Sequence, residues 1–116
     1  TGNPKGVVHT HRGVTQQMAV QALFQAMQAE FAKLTGGTPA THQPCIILPV
    51  PLFHVTGSHH VFLQSLVEGR KMVMMFKWDP LVALQLIERE RATSWTGVPT
   101  MVQDLMEHPD FGKYDT

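Results

Sequence analysis

The residues most able to do chemistry stand at the start of the chain, in TGNPKG. Gly2 and Gly6 can take a positive φ, which turns backbone N–H groups toward an anion. Thr1 adds a hydroxyl donor and Lys5 a mobile point charge. These are the parts of a loop that holds phosphates. It is not a GK[ST] phosphate loop, in which Ser or Thr follows the lysine and a helix starts at once. Here Gly6 follows, and then Gly6 to Thr10 (GVVHT) reads as a short strand. On spacing alone, a plain Gly-Pro-Lys turn is the competing reading.

A second group lies mid-chain in PLFHVTGSHH, residues 51–60. His54 follows a continuous apolar run, so it stands where a buried strand delivers its next loop. A neutral imidazole there could donate one hydrogen bond and change rotamer as a substrate enters. On the helix that follows, Val55, Thr56 and His60 would face one pocket, while His59 diverges from His60 by about 100°. A third group, Val98, Pro99 and Thr100, ends the last strand. His9 and His11, with the cluster His54, His59 and His60, raise a rival from another class, a His-based metal module. Such a site wants tetrahedral nitrogen and sulfur ligands with supporting carboxylates. No His-x-x-x-His falls on one helix face, so no metal site is expected.

The elements that must position these residues follow from hydrophobic periodicity. Val14 to Leu34 carries Val20, Leu23, Phe24, Met27, Phe31 and Leu34 at helical spacing, with Thr10 or Thr15 as the cap. Cys45 to Val50 is a continuous apolar run, the mark of a strand covered on both faces. Val61, Phe62, Leu66 and Val67 resume helical spacing, stopped by Gly69. Lys71 to Phe76 is a further strand. Asp79-Pro80 opens a helix with Leu81, Leu84 and Ile87 as its stripe. Thr93 to Thr96 is a short strand, and Pro99 opens a last helix with Met101, Val102, Leu105 and Met106 inward. Strand and helix alternate throughout. The expected fold class is α/β, a three-layer αβα sandwich on a mostly parallel sheet, with ligands beyond the carboxyl ends of the strands.

Composition narrows the partners. Nine basic residues balance nine acidic ones among 116, so no basic surplus points to nucleic acid. No apolar run approaches the ~18 residues of a membrane span. The lone Cys45 suits a buried thiol in a reducing, cytoplasmic setting.

TGNPKGVVHTHRG resembles the second half of the phosphate loop of the adenylate-forming superfamily, which includes acyl-CoA synthetases, luciferase and peptide-synthetase adenylation domains. Thr1, Gly2, Pro4, Lys5, Gly6, Thr10 and His11 match in place. PLFHVTG, Pro51 to Gly57, resembles a second motif of that family. The stretch from Trp78 to Met101 (WDP…IERERATSWTGVPTM) is a third and weaker likeness. The resemblance implies a part of an ATP-dependent acyl-CoA synthetase, most like one for fatty acids. It assigns Thr1, Gly2 and Lys5 to the ATP phosphates. It assigns His54, Val55, Thr56 and His60 to the acyl pocket, and Val98, Pro99 and Thr100 to an acyl or CoA channel. ATP, Mg2+ and CoA would be the cofactors and co-substrates, a small carboxylic acid the substrate, and a homodimer an open possibility. Thr56 and Gly57 are small, which leans toward medium or long chains. On the same resemblance, residues 1–116 form one subdomain of a larger N-terminal domain. It would begin inside the phosphate loop, lack the adenine-binding region and the C-terminal lid, and be inactive alone. A non-catalytic nucleotide-binding module is the alternative.

Overall fold

Cys45, Ile46, Ile47 and Leu48 are four apolar residues in a row, and all four are buried. A strand hidden on both faces needs a layer on each side and a partner on each edge. The computed structural model, which describes residues 2–3, 5–37 and 42–116, provides these within the second of two compact units, 1–39 and 40–116.

In that unit β1 (Cys45–Leu48) is the middle of a three-stranded sheet, flanked by β2 (Lys71–Met74) and β3 (Ser94–Trp95). Both pairings are parallel, with Cys45 opposite Lys71 and Ile47 opposite Trp95. Thr93 extends the β1–β3 pairing by one residue. Its N–H donates to the Cys45 carbonyl at 2.8 Å, and its Oγ1 accepts from the Cys45 N–H at 3.0 Å.

The connections place the helices. After β1 the chain forms a π-helix over Thr56–Leu63 that runs directly into α2 (Gln64–Glu68). Gly69 ends it at φ +65°, a left-handed turn that glycine takes without steric cost. Val61 is fully buried against Ile46 and Leu48. α3 (Pro80–Glu90) starts where the sequence says it should: Asp79 Oδ1 accepts the Val82 N–H at 3.0 Å, and Pro80 takes the first helical position. α4 (Pro99–Met106) packs beside α3 and is followed by a 3-10 turn, Phe111–Lys113. The chain steps from β1 to β2 and then back across β1 to β3. With right-handed crossovers, this reversal puts the Thr56–Glu68 helix and α3 on opposite faces of the sheet.

Two apolar clusters hold the unit: Ile46, Leu48 and Val61 on one side, and Ala83, Leu84 and Leu105 on the other. Burying a Leu, Ile or Val side chain fully is worth about 1.5–3 kcal/mol relative to leaving it exposed. The stripe of α3 is centred on Ala83 and Leu84, with Leu81 and Ile87 half-buried. On α4 only Leu105 is buried of the four residues expected inward, and Met106 stays largely exposed.

The first unit holds α1 (His11–Leu34), 24 residues long. It begins one turn earlier than its apolar spacing suggests, because Thr10 and not Thr15 is the cap. Thr10 Oγ1 accepts the Gly13 N–H at 3.1 Å, while Thr15 Oγ1 donates to the His11 carbonyl inside the helix. The strand expected over 6–10 does not form. Val7 and Val8 are exposed, and no strand among the described residues pairs with this segment. A strand without a partner has no ladder to satisfy its backbone. None of the helices among the described residues is long and apolar enough to cross a membrane.

Candidate functional site

The glycine loop leads to α1 through a segment without regular secondary structure. Gly2 sits at φ +97°, a conformation that any side chain would strain, and open space surrounds the Cα of both Gly2 and Gly6. Lys5 is exposed. Thr1 and Pro4 lie outside the described residues. His9 lies in the segment before α1 that has no regular secondary structure, and His11 at the first helical position of α1.

In the second unit, the loop after β1 turns tightly. The His54 N–H donates to the Pro51 carbonyl at 3.0 Å. The His54 carbonyl in turn accepts the Ser58 N–H at 3.0 Å and the Ser58 hydroxyl at 3.2 Å. His54 Nδ1 accepts the Thr56 N–H at 3.2 Å, which selects the tautomer with the proton on Nε2. His54 is therefore an exposed side chain fixed at one ring nitrogen, with a donor left at the other.

The π-helix changes the faces that follow. Its i→i+5 bonding makes each turn wider than that of an α-helix, so residues four and five apart both come near one another. Thr56 is half-buried at its first turn, while Val55 and His60 are exposed. His59 is half-buried and shares a hydrogen bond of 2.8 Å with Ser58 Oγ. A wide helix starting at a candidate site is not visible in the apolar spacing, which the α and π forms share. Gly57, expected from its size to leave room for an acyl chain, opens no space at its own position. It is buried, and the backbone carbonyls of Val50 and Pro51 lie where its side chain would be.

The third group ends β3. The Thr96 N–H reaches the Ile47 carbonyl at 3.4 Å, and then Gly97, Val98, Pro99 and Thr100 run exposed into α4. β1 and β3 are neighbouring parallel strands, and their exits lead to helices on opposite faces. Such a change of direction opens a crevice beyond the carboxyl ends of the strands, the common ligand position in open α/β sheets. The topology thus brings the His54–Thr56 turn and Val98–Thr100 to adjacent strand ends.

Two further arrangements were not visible in the sequence. Trp78 and Trp95 stack with ring centroids 5.7 Å apart and planes within 8°. Trp78 Nε1 donates to Asp104 Oδ2 at 3.0 Å. In the central strand, where the sequence led to a buried thiol, burial pushes the Cys45 thiol up, opposed by the charge of Lys71. Among the described residues, no group of three His, Cys, Asp or Glu side chains is gathered as a metal centre would require.

A parallel sheet with helices on its two faces and a reversal of strand order across its middle strand, β1, defines an open α/β protein of the kind that takes ligands beyond its strand ends. The chain belongs to the AMP-binding enzyme family, whose family model matches residues 1–116. It is 32% identical over 115 residues to the long-chain-fatty-acid–CoA ligase of Bacillus subtilis, covering 99% of this chain and 19% of that protein. It is 34% identical over 116 residues to a mitochondrial medium-chain acyl-CoA ligase of Homo sapiens, with 99% and 17% covered. Among solved structures, a fatty acyl CoA synthetase of Mycobacterium tuberculosis matches with a TM-score of 0.74 and 27% identity, over 99% of this chain and 20% of that one. The chain spans about a fifth of the length of the curated relatives it matches.

Proposed function

We propose that this chain supplies the phosphate loop and one wall of the acyl pocket of an ATP-dependent acid–thiol ligase. In the first half-reaction, a carboxylate oxygen bonds to the α-phosphorus of ATP and the bond to the β-phosphate oxygen breaks. The products are an acyl-adenylate and pyrophosphate. In the second, the sulfur of CoA bonds to the acyl carbon and AMP leaves with the electron pair. The observation that carries this reading is the likeness along 99% of the chain to ligases named for long- and medium-chain acids.

The geometry supports particular roles. The Gly2 turn and the exposed Lys5 suit the leaving pyrophosphate, where negative charge builds up in the transition state. The Nε2–H of His54 suits a polar group at the mouth of the pocket. Val55, Thr56 and His60, with Val98, Pro99 and Thr100 after the neighbouring strand, suit its walls. Mg2+ would arrive on the nucleotide, since no acidic cluster among the described residues fits the ion itself. A reducing, cytoplasmic setting suits the free, buried Cys45.

The test is acid-dependent exchange of labelled pyrophosphate into ATP, in an enzyme of the relatives' length that carries this chain. Lys5→Ala should slow exchange, by at most the ~2–4 kcal/mol that one well-placed donor contributes. Thioester formation from preformed acyl-adenylate should be nearly unchanged, because no pyrophosphate is present. Equal loss in both steps would make Lys5 structural, and absence of any acid-dependent exchange would sink the ligase reading.

A further inference from the structure

The β3–α4 loop has little of its own to hold it in place. Val98, at the N-cap of α4, makes no side-chain cap, and Pro99 at the first position has no N–H. Gly97, Val98, Pro99 and Thr100 are all exposed. Two contacts from side chains outside the loop hold it to its surroundings. The first is Trp95, whose Cζ3 lies 2.5 Å from where a side chain on Gly97 would begin, so the indole edge rests on the loop backbone. The second is the hydrogen bond from Trp78 Nε1 to Asp104 Oδ2 on α4. The two contacts are joined, because Trp78 and Trp95 stack face to face.

We infer that Trp78, Trp95 and Asp104 form a positioning clamp that sets where Val98, Pro99 and Thr100 stand, and through them the affinity for the acid substrate. The clamp ties three elements that the chain visits at different times: the segment before α3, the strand β3, and α4. Thr100 and Asp104 are four residues apart on α4 and share a face, so a shift of Asp104 carries Thr100 with it. An indole N–H on a carboxylate is a charge-assisted bond and fixes direction as well as distance. The inference rests on the reading of this loop as a pocket wall.

Asp104 is exposed, and alanine is the better helix former. Asp104→Ala therefore isolates the lost bond from any loss of helix. Asp104→Asn keeps an acceptor and should rescue. Trp78→Phe keeps a ring for the stack and removes the donor. In an enzyme of the relatives' length, Asp104→Ala and Trp78→Phe should speed amide exchange of the peptide spanning residues 98–104 by about tenfold, as loss of one net hydrogen bond implies. The KM for the acid should rise severalfold with the KM for ATP unchanged, and Asp104→Asn should restore both readouts.

Unchanged exchange in Asp104→Ala overturns the clamp. Faster exchange with an unchanged acid KM also overturns it. In that case a parallel Thr56→Phe variant that does shift acid preference leaves the pocket reading standing, and one that does not removes both. An equal rise in the KM for acid and for ATP would mean general loosening and would likewise overturn the inference.

Discussion

The carbonyl oxygen of Pro51 occupies the space that a side chain at residue 57 would need, with the Val50 carbonyl 2.9 Å from the same point. The first turn of the π-helix can sit on the loop after β1 only because Gly57 has no Cβ. Two effects of Gly57→Ala oppose each other. Alanine gains ~1 kcal/mol of helix propensity. Overpacking a buried position costs typically 1–3 kcal/mol, and more when the obstacle is backbone that cannot rotate away. The clash should win. Gly57→Ala is expected to lower the urea midpoint, and to disturb the hydrogen bond from the His54 N–H to Pro51 along with the carbonyl shift. A variant as stable as the parent, with an unshifted His54 ring resonance, would show that the helix can step back from the loop.

The pair Lys71–Glu90 joins the first residue of β2 to the last residue of α3. Its hydrogen bond raises the Lys71 ammonium above its ordinary value, and bonds from Lys71 and then Arg89 hold the Glu90 carboxyl below its own. A lowered carboxyl contributes stability above its unfolded value, near 4.5, and loses it as pH falls. A raised ammonium contributes stability below its unfolded value, near 10.5, and loses it as pH rises. The contribution should form a plateau between these limits. Comparing urea midpoints of the parent and Lys71→Met across pH should show the largest gap on the plateau, closing at both ends and shrinking in high salt. A gap that persists well below the carboxylate range would assign the effect to packing of the lysine stem.

Much of the scaffold could be read from residue types because local chemistry decided it. Asp79-Pro80 caps α3, Gly69 ends the helix before β2, and the apolar run at Cys45 makes the central strand. What could not be read depends on partners. Gly6 to Thr10 has strand-like residues but no neighbouring strand to bond with among the described residues. The π-helix shares its apolar spacing with an α-helix, so only its bonding tells them apart. Of the candidate pocket residues, Thr56 is half-buried, while Val55 and His60 stay on the surface of this unit. The Trp78–Trp95 stack joins residues on different elements, and nothing in their spacing announces it.

Thr56 stands at the first turn of the π-helix, and its N–H donates to His54 Nδ1. If this turn lines the acyl pocket, Thr56→Phe should fill space that the distal methylenes of a long acid would otherwise occupy. Each methylene denied burial loses ~0.8 kcal/mol, so four lost methylenes shift preference by about two orders of magnitude. Short acids, which do not reach that depth, should be spared. His59→Ala is the control: His59 is engaged with Ser58 and falls outside the assigned pocket residues, so chain preference should stay as it was. The measurement is kcat/KM over an acid series from short to long chains, in an enzyme of the relatives' length. A long-to-short ratio unmoved by Thr56→Phe, or moved more by His59→Ala, would take this helix out of the pocket wall and leave His54 without a mouth to guard.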